Sequence, residues 1–191
     1  MVRFVLLLLV ACQAGGCVVA AVADRLRSRS VPAAYEPAKE APLLVIVDPN
    51  TDNQVSFDTA DRLALRIEQN LKAHQVAPIV STSELLQLRT SMPYTKYMDL
   101  SAAERGKAVG AKQVLVVRLQ QYEVSSVISG GSATNAVAAV KVVDVASGKT
   151  AWPTEFGEQR ITHAAPVQST GDPVDSLAVR ISSLFHDVEG K

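Results

Sequence analysis

The stretch "PLLVIVDP" (Pro42–Pro49) constrains this chain more than any other. Residues 43–47 are apolar without a break, so the segment has no polar face to turn toward water. Val45, Ile46 and Val47 are β-branched, which favours extended backbone, and a proline bounds the run on each side. A strand that is apolar on both faces has to be covered on both, and crossover helices are the usual cover. The segment predicts a central strand of an α/β sheet.

The following residues fit that expectation. In "DTADRLALRIEQNLKAHQ" (Asp58–Gln75), Leu63, Ala64, Ile67 and Leu71 recur at helical spacing. Asp58 is placed to cap this helix, and Glu68 precedes Lys72 by one turn in the favourable order. "VAPIVS" (Val76–Ser81) reads as a short strand, with Pro78 marking a sheet edge. Thr82–Thr90 reads as a short helix capped by Thr82 or Ser83, and Ser91–Asp99 as a loop. In Ser101–Gly110, Ser101 and Glu104 form a capping box and Gly110 a left-handed stop. Two long strands, Lys112–Val124 and Ala136–Gly148, flank a loop, and Ser147–Gly148 turn the chain into Lys149–Phe156. These three segments predict an antiparallel meander. A second amphipathic helix spans Asp172–Val188, capped by Asp172 with Pro173 at its first position. The order β-α-β-α-α-β-β-β-α predicts an α/β fold with a three-layer mixed sheet of about five strands and helices on both faces.

Composition limits what such a domain does. Apolar residues make up 48% and charged residues 20%, which suits a packed core. Lys plus Arg equals Asp plus Glu, so no polyanion partner such as nucleic acid is indicated. The basic cluster Arg25, Arg27 and Arg29 is short and lies beside an apolar leader, as a solvated linker or a membrane-surface contact would.

That leader holds both cysteines of the chain, in "LVACQAGGC" (Leu9–Cys17). A minimal positive start, "MVR", precedes an uncharged apolar run and then small residues, which is the layout of an export signal. Phe4–Ala23 is also about the minimum length that crosses ~30 Å of hydrocarbon, so an uncleaved anchor is the alternative, with ordinary secretion as a third. "LVAC" and "AGGC" both resemble the cleavage site of bacterial lipoproteins, where the cysteine behind the cut receives lipid. Cys17 gives the better leader length and Cys12 the better preceding leucine. The expected organisation is a signal peptide at 1–17, a proline-containing tether at 18–42 (or an ordered arm along the domain) and one domain at 43–191. No cysteine follows residue 17, so the domain has no disulfide or cysteine-based zinc site.

The element order, with "AVGAKQVLVVRL" and "VKVVDVASGKTAW", resembles bacterial envelope lipoproteins whose domain is similar to the TolB N-terminal domain and to the curli-secretion lipoprotein. The matching positions are Gly110, Ala111, Asp144, Ser147, Gly148 and Trp152. The resemblance implies a non-enzymatic accessory or assembly role and transfers no catalytic residue.

The residues themselves offer few chemical candidates. Asp48, Asn50 and Asp52 sit at the C-terminal end of the first strand, the edge where open α/β sheets bind ligands. They match the first ligand spacings of a calcium loop, but Asn53 and Thr59 stand where glycine and glutamate belong, so a polar turn is the simpler reading. "SGGS" (Ser129–Ser132) precedes a strand and not a helix, unlike a phosphate cradle. "RGKAVGAK" lacks P-loop spacing. His74, His163 and His186 are isolated in sequence and share no ligand spacing. Met92, Tyr94, Tyr97 and Met98, in an expected loop, and Trp152 combine adaptable sulfur with rigid rings and are candidate partner contacts. Packing is the simpler reading of each. The sequence therefore predicts a lipid-tethered module facing the periplasm that binds an envelope protein, without metal or cofactor. A small-molecule or cation binder at Asp48 and an envelope enzyme are the rival readings.

Overall fold

Strand β2 (Leu43–Pro49) is buried from Leu43 to Val47, and its flanks explain why. It lies between β3 (Ile79–Val80) and β4 (Gln113–Ser126), parallel to both. The computed structural model describes residues 30–49, 56–126, 132–155, 157–165 and 172–189. Contacts divide the chain into two units. In the smaller one, which joins the two ends of the chain, β1 (Ser30–Val31) pairs antiparallel with β8 (Val188–Glu189). The larger unit, Ala33–His186, holds all the other elements.

Its mixed sheet has the order β3-β2-β4-β5-β6, where β5 is Ser132–Asp144 and β6 is Thr150–Trp152. A sixth strand, β7 (Gln159–Ala165), pairs with β5 on the same side as β6. The β4–β5, β5–β6 and β5–β7 pairs are antiparallel, so the meander forms as expected, and β3 is an edge strand as Pro78 indicated. Helices cover both faces. On one, α1 (Phe57–Ala73) and α5 (Pro173–Ser182) pack Leu63, Ile67, Leu177 and Ile181 onto Leu43, Val45, Leu115 and Val117. On the other, α2 (Thr82–Thr90) and α4 (Ala102–Ala108) bring Leu85, Ala102 and Ala103 onto Leu44, Ile46, Val114 and Val116. Each fully buried Leu or Ile contributes about 1.5–3 kcal/mol, and β2 and β4, with apolar residues on both faces, tie the two layers together. Among the described residues no helix is long and apolar enough to cross a membrane.

Several local expectations change. The Met92–Met98 segment is not a loop, because Tyr94–Asp99 forms a one-turn-and-a-half helix, α3, that starts directly after Pro93. Ser56 caps α1 in place of Asp58, its hydroxyl accepting from the Thr59 N–H at 3.2 Å, and Asp58 falls in the first turn. Ser81, one residue before Thr82, caps α2. The last helix stops at Ser182, short of Val188. The Ser101–Glu104 capping box, the left-handed Gly110 (φ 77°) and the Asp172 cap with Pro173 form as read. At the β5–β6 turn the Asp144 carboxylate accepts from the Ser147 N–H and hydroxyl at 2.8 and 2.6 Å, and Gly148 takes a left-handed φ of 68°. Residues 33–42, assigned from sequence to a tether or an arm, place Tyr35 against Trp152 and Phe185, with ring centroids 6.1 Å from each. His74 and His186, isolated in sequence, stack at 3.6 Å and 11°.

Strand β7 ends the sheet, and two of its carbonyls accept hydrogen bonds from side chains. The Thr162 carbonyl accepts from Arg180 Nη1 at 2.7 Å and the Arg160 carbonyl from the Gln159 side-chain amide at 3.4 Å. Residues two apart on an antiparallel strand direct their carbonyls to the same side, so the two bonds share a side of the strand.

Gly106 sets the approach of α4 to the sheet. A Cβ there would stand 2.5 Å from Val114 Cγ2 and 2.9 Å from Val145 Cγ2. Gly106→Ala gains helix propensity of about 1 kcal/mol but forces a core shift costing about 1–3 kcal/mol. Urea unfolding should show a net loss of stability, and an unchanged or raised midpoint would contradict this packing account.

Candidate functional site

At the C-terminal end of β2 the sheet opens into a cleft of about 350 Å³. Its floor is Ile46, Val47 and Ala64, and its walls come from α1, the start of α2 and α3. This edge is where parallel strands direct their ends away from the covering helices, so backbone and side chains converge there without filling the space.

Asp48, the last polar residue of β2 before Pro49, faces this cleft, and its Oδ1 accepts from Arg105 Nη1 at 2.9 Å. The Arg105 side chain is only 7% exposed. Its guanidinium lies over the Tyr97 ring, 4.7 Å from the centroid, and its Nε has no hydrogen-bond partner. A buried cation needs a compensating charge, and Asp48 supplies it while the ring face adds a cation–π contact. Burial pushes the Tyr97 hydroxyl above its usual range, with Arg105 opposing the rise.

A second ion pair stiffens the opposite wall. Arg89 of α2 donates both terminal nitrogens to Asp61 of α1, at 2.7 and 3.2 Å. This fork keeps Arg89 fully charged, its hydrogen bonds to Asp61 outweighing burial. Arg89 also stands over Phe57, 5.5 Å from the ring centroid, and Phe57 meets Tyr94 edge-to-face at 5.9 Å.

Glu68 fixes the start of α2, which forms the cleft's third side. It is buried, accepts from the Thr82 N–H at 2.7 Å and pairs with Lys72. Burial alone would raise its pKa. The bonds from Lys72 and Thr82 outweigh burial and hold the carboxyl below its ordinary value of 4.5.

The structure thus brings Asp48, Tyr97 and Met98 to one cleft and sets Tyr94 beside it on Phe57. Met92 is half-buried, whereas Tyr94 and Met98 are exposed. Asn50 and Asp52 lie outside the described residues, as do Cys12 and Cys17. Trp152 sits elsewhere, packed with Tyr35 and Phe185 against the layer that α1 and α5 cover. Among the described residues no three His, Cys, Asp or Glu side chains gather as metal ligands would. Sequence reasoning missed Phe57, Asp61, Arg89 and Arg105, which on amphipathic or short helices read as ordinary surface positions.

No protein-family model matches this chain, and no curated protein matches it. Solved structures do. Lipoprotein GNA1162 from Neisseria meningitidis superposes with a TM-score of 0.51 at 14% identity, covering 74% of this chain and 94% of that one. A PelC dodecamer from Paraburkholderia phytofirmans gives 0.49 at 12% identity, covering 82% and 93%. TolB from Acinetobacter baumannii gives 0.38 at 13% identity, covering 82% of this chain and 29% of that one. The first match shows a fold shared with that protein.

A carboxylate with a lowered pKa stabilises the fold above its ordinary value, and that stabilisation disappears as pH falls through the folded value. Glu68→Gln should therefore cost about 1 kcal/mol near pH 7, since Lys72 is half-exposed and screened. The variant's deficit should shrink below pH 4.5. Denaturant titrations at neutral and acid pH measure both, and an equal deficit at the two would refute the assigned charge.

Proposed function

We propose that this chain is a lipoprotein of the bacterial cell envelope that works as a non-enzymatic accessory or assembly module. In this reading the signal peptide is cut off before Cys17 or Cys12, that cysteine becomes the first residue and carries the lipid, the stretch up to residue 42 forms the tether, and the domain faces the periplasm. The single observation that carries it is the confinement of both thiols to the end of an apolar leader, on a chain that shares its fold with a lipoprotein from Neisseria meningitidis.

The geometry supports binding over chemistry. Asp48 and Asp61, two acids of the cleft, are engaged by Arg105 and Arg89 in ion pairs, an arrangement that holds walls in place and not one that moves protons. Tyr94 and Met98 stand exposed next to the cleft and are the residues offered to a protein partner, while Trp152 serves packing. A tether raises the local concentration of such a surface for any partner in the same membrane.

Intact mass of the protein extracted from membranes tests the reading. The expected mass lacks the leader and carries a diacylglycerol on one cysteine, and Cys17→Ser and Cys12→Ser tell which. An unmodified full-length mass would overturn it.

A further inference from the structure

The α2–α4 layer covers only part of its face of the sheet, reaching Val114 and Val116 of β4 and Val143 of β5. Side chains alternate along a strand, so Arg118 on β4 and Lys141 on β5 continue the same face. Arg118 stands opposite Ala139, and Ala139 opposite Arg160 of β7. The three form one row across three strands, which sets the two arginines about 10 Å apart at the backbone. The next row, Gln121, Val137 and Thr162, carries no charge. Ala139 and Val137 are buried, while Arg160 and Thr162 are exposed beside them. Strand β5 therefore forms a low floor between longer side chains on β4 and β7.

Positive charge gathers here without matching acids. Arg118 and Lys141 both pair with one oxygen of Glu158, at 3.2 and 3.1 Å. The Arg160 guanidinium has no partner among the described residues. Asp48, opposite Arg118 on β2, is engaged by Arg105. Glu123 lies two residue pairs past the uncharged row's neighbour Arg118, about 14 Å along the sheet. Three cations thus share one carboxylate, on a chain whose net charge is zero. Like charges on neighbouring strands lower stability, and an anionic partner relieves that. The cations are spread along the face and do not converge on one point. Such spacing suits single charges carried by an extended chain, whose side chains return to the same side every ~6.8 Å.

We propose that the face of β4, β5 and β7 around Ala139 docks an extended acidic segment of a protein partner, with its carboxylates on Arg118 and Arg160. Neither arginine lines the cleft, and no residue of the leader is involved, so this surface stands apart from Tyr94 and Met98 and from the lipoprotein reading.

Fluorescence anisotropy with the full-length chain in an uncharged detergent tests it. The probes are a labelled octapeptide of alternating threonine and glutamate, its glutamine counterpart, and an oligothymidylate of the same charge. The glutamate peptide should bind about tenfold more tightly than the glutamine one in dilute buffer and lose affinity as salt is raised. Arg118→Gln and Arg160→Gln should each weaken it about fivefold, and Arg160→Glu should abolish it. Lys149→Gln removes the same charge from an exposed position at the β5–β6 turn and should change nothing. No binding of the glutamate peptide, equal binding of the glutamine peptide or tighter binding of the oligothymidylate would overturn the assignment. So would full affinity in Arg160→Glu, or an equal loss in Lys149→Gln.

Discussion

Burial of β2 on both faces is the constraint on which the rest depends. With no polar side between Leu43 and Val47, the strand is stable only if two separate layers cover it. One layer is the α1–α5 pair. The other is the thinner α2–α4 layer, which Gly106 lets approach closely. At its C-terminal end Asp48 and Pro49 leave the core and border the cleft that α1, α2 and α3 wall. Site and core are thus two ends of one strand.

Arg105 links them. A guanidinium buried to 93% would be very costly alone, and it is tolerated because β2 delivers a carboxylate and α3 a ring to the same place. Those three elements are far apart in the chain, with Asp48 and Arg105 separated by 57 positions. The short helix α3 is held by Tyr97 under this cation and by Tyr94 against Phe57.

Periodicity made much of the fold legible. The unbroken apolar run of β2, the helical spacing of Leu63, Ile67 and Leu71, and the paired long strands before and after residue 130 left little choice of architecture. Strand β7 was missed because Ile161 is the sole large apolar residue in "QRITHAA". A strand at the sheet's edge with one packed face carries too weak a pattern. Helix α3 was hidden by Pro93, which reads as a break although proline readily precedes a helix. The site was half legible. Asp48 followed from the strand-edge rule, and Tyr97 and Met98 from residue type. Asp61, Arg89 and Arg105 were not, since a charge on a helix looks the same in sequence whether it faces water or a partner brought near by tertiary folding.

The outer margin of β7 has a consequence for how other proteins meet this domain. Its carbonyls at Arg160 and Thr162 are already satisfied by Gln159 and Arg180, and the opposite margin, β3, is two residues long. A visiting strand would meet side chains already bonded to main-chain carbonyls at one margin and a very short run at the other. Main-chain pairing is disfavoured at those places, and contacts made through side chains, unlike backbone ones, are lost or redirected by single substitutions.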